Sequence, residues 1–237
     1  MEAKNKVLNE IFDKCSDNYR QIHNENIGKI SGTDSDYFSE YKIREIKYRY
    51  PDLHSKWLDL GCGDGLTSVF VNKYFPQIEY CGIDISENSI KKALKREGLI
   101  NADFMLYDGE HIPFPDNTFS VVFMACVIHH IDPIKRDGIL KECKRVLKEG
   151  GKLIVFEHNT YNPVTLKVVN DCIFDNDAIL VNQHDFGKQL KSIGFRNLKR
   201  RYTLFFPRKK AFNWLIPLEK HLSWCMIGGQ YYYVAEK

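Results

Sequence analysis

Leu58 Asp59 Leu60 Gly61 Cys62 Gly63 Asp64 Gly65 decides how the chain is read: an apolar run enters a glycine-rich turn, and helix-spaced residues follow from Leu66. Glycines let the backbone adopt left-handed conformations and let a ligand approach it closely, while a helix amino terminus just beyond offers unpaired N–H groups. An ordinary tight turn produces the same string, so its meaning depends on what flanks it.

Downstream, Ile78 to Asp84 is a second apolar run ending in a carboxylate at Asp84, followed by Ile85. In α/β nucleotide-binding sheets that position holds ribose hydroxyls, and a carboxylate can accept two hydrogen bonds from a vicinal diol. Capping of a helix that starts near Ser86 is the competing reading. Further runs at Ala102 to Tyr107, Phe119 to Met124 and Lys152 to Glu157 alternate with helical spacing at Leu66 to Tyr74, Glu87 to Glu97 and Ile134 to Leu147. Alternation of this kind, continuing to about Ile193, predicts a mostly parallel sheet with helices on both faces. Gly150 and Gly151 stop the last of these helices.

Beyond Glu157 an irregular stretch carries Asn159, Asn162 and Pro163, then helical spacing around Thr165 to Asp171, and reads as an insertion over 158–183 at the sheet's carboxyl edge. Leu198 to Phe206 and Tyr231 to Ala235 read as β-rich runs that pair antiparallel at the edge of the sheet. Trp214, Trp224, Tyr231, Tyr232 and Tyr233 are expected to fill the core or cover that edge. Ahead of the first strand, Val7 to Gln21 and Tyr37 to Tyr50 read as amphipathic helices joined by Ser31 to Asp34, forming a helical cap over 1–50 against a domain over 51–237.

Composition narrows the classes. A chain of 237 residues with 43% hydrophobic content has enough apolar surface for one large domain. A net charge of +3 is too small to mark a general nucleic-acid binder. The cysteines are odd in number and never spaced as CxxC, so neither a disulfide framework nor a metal site is expected, and a reducing cytoplasm fits best. Met1 to Lys14 is charged and lacks the apolar core of a secretory signal. The run from Phe119 to Ile128 is too short to span a bilayer.

A dinucleotide-binding dehydrogenase shares the strand, turn and acid arrangement. Its fingerprint has a glycine where this chain has Leu66, and the carboxylates of Asp59 and Asp64 would repel a pyrophosphate. They suit a ligand bearing an amino group and a positive sulfur.

From about Tyr19 to Gly151 the chain resembles the class I S-adenosylmethionine-dependent methyltransferases, with small-molecule and sugar O-methyltransferases the nearest in kind. Leu58 to Gly65 resembles their cofactor loop, Tyr107 Asp108 Gly109 their adenine-edge acid and its neighbour, and Arg145 to Leu153 their turn into the fifth strand. Ser120 stands where the family commonly has aspartate. The resemblance implies a Rossmann-like seven-stranded, mostly parallel sheet with an antiparallel carboxyl-terminal edge strand and an amino-terminal helical cap. It implies S-adenosyl-L-methionine as cofactor, with Asp59 and the backbone at Ala125 near the methionine amine and Gly61, Cys62 and Gly63 along the methionyl portion. Asp84 would bind the ribose, Ile85 the adenine face, and Asp108 with Gly109 the adenine edge. Tyr19 would reach the methionine carboxylate, and Lys42 either joins it or is a solvated helix lysine.

On the acceptor side, His129 and His130 follow the fourth apolar run, and an imidazole there suits removal of a hydroxyl proton; one of the two is expected to be structural. Glu157 and His158 end the fifth run, and with Asn159, Asn162 and Asp171 they make a polar cluster suited to a hydroxyl-rich acceptor. The asparagines alternatively only shape the turn. The expectation is O-methylation of a sugar or nucleotide-activated sugar by a monomer or homodimer, with a small-molecule acceptor, no nucleic acid and no membrane insertion. N- or C-methylation of another metabolite, quinones included, RNA or protein methylation, and a non-enzymatic binding module are the alternatives. The basic clusters Lys199 Arg200 Arg201 and Arg208 Lys209 Lys210 are solvated edge charges or, if they face the pocket, a phosphate site.

Overall fold

The computed structural model describes residues 35–172 and 178–237. Tyr19, the expected helix Val7 to Gln21 and the turn Ser31 to Asp34 lie outside the described residues. The helix expected at Tyr37 to Tyr50 is α1 (Ser35–Arg49), which buries Lys42, Ile43 and Ile46.

The strands form where apolar runs were read: β1 (Lys56–Leu60), β2 (Glu79–Asp84), β3 (Ala102–Leu106), β4 (Phe119–Ala125), β5 (Leu147–His158), β6 (Arg196–Thr203) and β7 (Gln230–Glu236). Among the described residues they make one seven-stranded sheet in the order β3-β2-β1-β4-β5-β7-β6. β1 to β5 pair in parallel, and β7 runs antiparallel to both β5 and β6. The antiparallel carboxyl-terminal strand is therefore present but lies one place in from the edge, which is occupied by β6.

β5 starts five residues before the expected Lys152, because Leu147 already pairs with Phe119 across a register shift. Gly150 takes a φ of 73° within that irregular approach. The helix ends at Val146, where Leu147 is already extended, so the two glycines do not stop it as expected but lie within the irregular start of β5.

Helices cover both faces. α2 (Leu66–Tyr74) and α3 (Glu87–Ala93) follow β1 and β2; α4 (Pro133–Val146) precedes β5; α5 (Pro163–Asn170) and α6 (Gln183–Ile193) separate β5 from β6. Local chemistry sets their ends. Ser86 caps α3, Asp132 caps α4 ahead of Pro133, and Asn162 caps α5 ahead of Pro163. α6 was missed in the sequence although its signals are present: Asn182 caps it, Phe186 and Leu190 are its buried side, and Gly194 ends it in a left-handed conformation.

Alternating strand residues feed two cores. Leu58, Leu60, Ile83, Val122, Met124, Leu153 and Val155 pack with α4 and α6. Trp57, Tyr80, Val121, Phe123, Ile154 and Phe156 pack with Ile43, Ile46, Val71 and Phe75 of α1 and α2. Central strands buried on both sides carry continuous apolar runs, which is why they were legible.

Candidate functional site

The strand order reverses between β1 and β4, and in open α/β sheets the crevice at the carboxyl ends of such a pair is where ligands bind. The loop from Gly61 to Gly65 opens at this point. Gly61, Gly63 and Gly65 all have positive φ, at 76°, 55° and 75°. A Cβ at Gly61 would sit 2.5 Å from Val127 Cγ2, whereas one at Gly63 meets nothing within 4 Å. The loop thus packs down at one glycine and presents bare backbone toward open space at another.

Asp84 ties this loop to β2. Its Oδ2 accepts from the Gly63 N–H at 2.8 Å and its Oδ1 from the Ser86 N–H at 2.9 Å. The helix cap is Ser86 itself, whose hydroxyl accepts from the Ser89 N–H. A carboxylate oxygen can accept more than one hydrogen bond. Ile85 packs beside Gly109, where a Cβ would lie 3.3 Å from its Cγ2.

Asp59 is 2% exposed and accepts a hydrogen bond from the Tyr80 hydroxyl. Burial pushes its carboxyl up to about 7, with the charge of Asp84 adding to the rise and the Tyr80 bond and the charge of Lys42 opposing it. Lys42, buried on α1, therefore lies within electrostatic reach of Asp59 and is no solvated helix lysine. Asp64 differs from its sequence reading. Its carboxylate pairs with Arg96 at 2.9 Å, and its carbonyl accepts from the same guanidinium. Its charge is neutralised within the protein, which leaves Asp59 as the loop's buried acid.

Asp108 is exposed after β3, and its Oδ1 accepts from the N–H groups of Glu110 and His111, both at 2.7 Å. Those backbone donors hold its carboxyl below the usual range. Ala125 ends β4, and Cys126 follows with a φ of 60°, a left-handed conformation uncommon for a residue with a side chain. Cys62 is buried beneath the loop.

The imidazoles cluster at the ends of β4 and β5. Glu157, fully buried, accepts from the Ile128 N–H at 2.8 Å and bonds His129 Nδ1 at 2.6 Å. Burial disfavours its charge, but the attraction of His129, His158 and His130 outweighs that and holds the carboxyl below its ordinary value. The rings of His130 and His158 lie 4.1 and 5.0 Å from that of His129. His129 is 2% exposed, while His130 and His158 are half-buried. The pair is thereby divided: His129 is clamped under the loop, and His130 stands at its margin.

The asparagines take the turn-shaping role. Asn159 is fully buried; its amide donates to the carbonyls of Met226 and Gly228, both at 2.7 Å, and its oxygen accepts from the Tyr161 N–H and from Gln183. Asn162 caps Thr165 and donates to the Ile227 carbonyl. The polar cluster read from the sequence is thus largely spent inside the protein, because a loop 65 or more residues away supplies its partners. Asp171 is exposed at the carboxyl cap of α5.

The aromatic and basic residues also divide. Tyr231, Tyr232 and Tyr233 are buried, but Trp214 and Trp224 are exposed, contrary to the expectation that they fill the core or cover the edge. Lys209 and Lys210 are exposed. Arg208 is instead enclosed with Glu219 at 2.5 Å and lies over the rings of Tyr37 and Tyr41.

Residues 58–155 match the family model of a methyltransferase domain. An uncharacterized methyltransferase of Schizosaccharomyces pombe is 37% identical over 123 residues, covering 48% of this chain and 41% of that protein. A demethylmenaquinone methyltransferase of Thermotoga maritima is 32% identical over 102 residues, covering 43% of each chain. The chain spans about two fifths of the length of these relatives. A solved structure from Thermotoga maritima, described as a SAM-dependent methyltransferase and possible histamine N-methyltransferase, superimposes with a TM-score of 0.68. It is 21% identical and covers 96% of this chain and 99% of that one.

The architecture is a Rossmann-like methyltransferase fold. The match over residues 58–155 is to a methyltransferase domain, and S-adenosylmethionine is the cofactor that this likeness supports.

Proposed function

We propose that this chain transfers a methyl group from S-adenosylmethionine to a small acceptor carrying an ionisable hydroxyl, with His130 as the base. The cofactor supplies an electrophilic methyl group. Asp84 would hold its ribose, Ile85 and Asp108 its adenine, with Gly109 alongside, and the bare backbone at Gly63 its methionyl portion. Asp59, Lys42 and the backbone at Ala125 would face the amino-acid end, with Tyr19 brought to it by a cap over residues 1–50. The observation that supports the acceptor side is the Glu157–His129 hydrogen bond, which fixes one imidazole beside the half-buried ring of His130. The task left to the protein is alignment in a site poor in water.

The activated sugar expected from the sequence rested on a polar cluster that Asn159 and Asn162 no longer supply. A hydroxylated ring is the second reading. It is supported by the likeness to a demethylmenaquinone methyltransferase, and His130 would equally serve to ionise a ring hydroxyl before methylation at oxygen or carbon. Release of S-adenosylhomocysteine, measured with nucleotide sugars, demethylated quinols and primary amines, separates these readings. Turnover is expected with a hydroxylated acceptor, falling about 100- to 10,000-fold in His130→Ala with cofactor affinity unchanged. Turnover confined to amines and indifferent to His130→Ala contradicts the proposal.

A further inference from the structure

The chain has three tryptophans, and they are divided sharply. Trp57 is 1% exposed in the core, while Trp214 and Trp224 are 73% and 76% exposed. Both lie in the connection 204–229 between β6 and β7, together with exposed Leu218, Met226 and Ile227 at 47%, 52% and 69%. Single apolar side chains on a surface need no explanation, but several gathered on one connection mark a surface with a partner.

This exposure does not come from a dangling loop. The Tyr202 N–H donates to the Ser223 carbonyl at 2.8 Å, and the Asn159 and Asn162 amides bond the carbonyls of Met226, Gly228 and Ile227. The backbone is pinned to the carboxyl edge of the sheet while its apolar side chains face out. Asn162 also sets the start of α5 beside this tip, where Tyr161 and Val164 are 52% and 54% exposed.

The charges point to the kind of partner. Glu219 is the only carboxylate in 204–229, and it is buried against Arg208. Lys209, Lys210 and Lys220 are exposed. The outward face thus offers indoles, aliphatic tips and ammonium groups without a compensating acid. Indoles settle at the headgroup level of a bilayer, where their apolar bodies and N–H groups are both satisfied, and ammonium groups are drawn to anionic lipid. Among the described residues no helix is long and apolar enough to cross a membrane, so the contact is peripheral.

We propose that the 204–229 connection docks the carboxyl edge of the sheet onto an anionic lipid surface, with Trp214, Trp224, Met226 and Ile227 entering the headgroup layer. Lys209, Lys210 and Lys220 would sit among the lipid phosphates. The docking does not depend on which acceptor is methylated.

The full chain is tested with vesicles of phosphatidylcholine alone and of phosphatidylcholine with phosphatidylglycerol. Tryptophan emission is expected to move to shorter wavelength, and the protein to sediment, only with the anionic vesicles. Trp57 is already buried and contributes no shift. Trp214→Ser and Trp224→Ser should each weaken binding, and Lys209→Gln and Lys210→Gln should each lower it by about fivefold at low salt. Absence of binding to anionic vesicles overturns the proposal, as does equal binding to both kinds. A concentration-dependent emission shift without lipid also overturns it, since that assigns the face to a second copy of the chain.

Discussion

Glu157→Gln keeps the side chain's size while removing its charge, and so isolates what the clamp under the histidines contributes. The carboxylate is fully buried and accepts from the Ile128 N–H while bonding His129 Nδ1 at 2.6 Å. Complete burial alone would raise its pKa, yet the shift is downward, so attraction from the imidazoles exceeds the cost of desolvation. The amide still accepts from Ile128 but loses the charge-assisted bond, which contributes roughly 1.5–3 kcal/mol. For a chain of this size that corresponds to a fall in Tm of about 3–12 °C. Because the folded pKa lies below the unfolded one, the stabilisation is complete above the ordinary value of 4.5 and is lost as pH falls through the lower folded value. Thermal unfolding followed by circular dichroism should therefore show a gap between wild type and variant that is constant near neutrality and closes in acid. Equal Tm at neutral pH, or a gap that persists far below 4.5, would refute the reasoning.

Asp59, with its carboxyl near 7, has the opposite sign. Below that value its neutral form is favoured, so stability falls as pH rises from its ordinary range toward 7, while on the proposed role cofactor affinity should rise across the same interval as the carboxylate forms. Calorimetry at pH values either side of 7 reads this, and an unchanged pH dependence in Asp59→Asn would remove the residue from that role. Arg208→Met strands the buried Glu219 without its cation and should destabilise by about 3–5 kcal/mol in urea unfolding. Arg208→Met with Glu219→Gln should recover part of the loss, and a double variant as unstable as the sum of the singles contradicts a paired role.

What the sequence disclosed was local. The strand runs, the glycine loop and Asp84 were legible because continuous apolar stretches and fixed spacings survive without tertiary knowledge. What it withheld were pairings between distant segments. Arg96 neutralises Asp64 from 32 residues away, and Glu157 selects His129 over His130 from 28 residues away. Asn159 and Asn162 looked like ligands for an acceptor because their partners, the carbonyls of Met226 to Gly228, are backbone groups that carry no sequence signature. The placing of β7 between β5 and β6 likewise follows from its pairing with both strands and not from its own composition. Trp214 and Trp224 were misread for a different reason: indoles are buried in most folds, and here the segment that carries them is held with its backbone inward.

Calorimetric titration of S-adenosylmethionine into the wild type and into Asp84→Ala bears most directly on the proposed cofactor site. The wild type should bind one equivalent, and the variant should bind about 10- to 150-fold more weakly, which corresponds to loss of roughly 1.5–3 kcal/mol of hydrogen bonding to a charged group. No heat with the wild type, or identical affinity in the variant, would contradict the assignment of the Gly61–Gly65 loop and Asp84 to the cofactor.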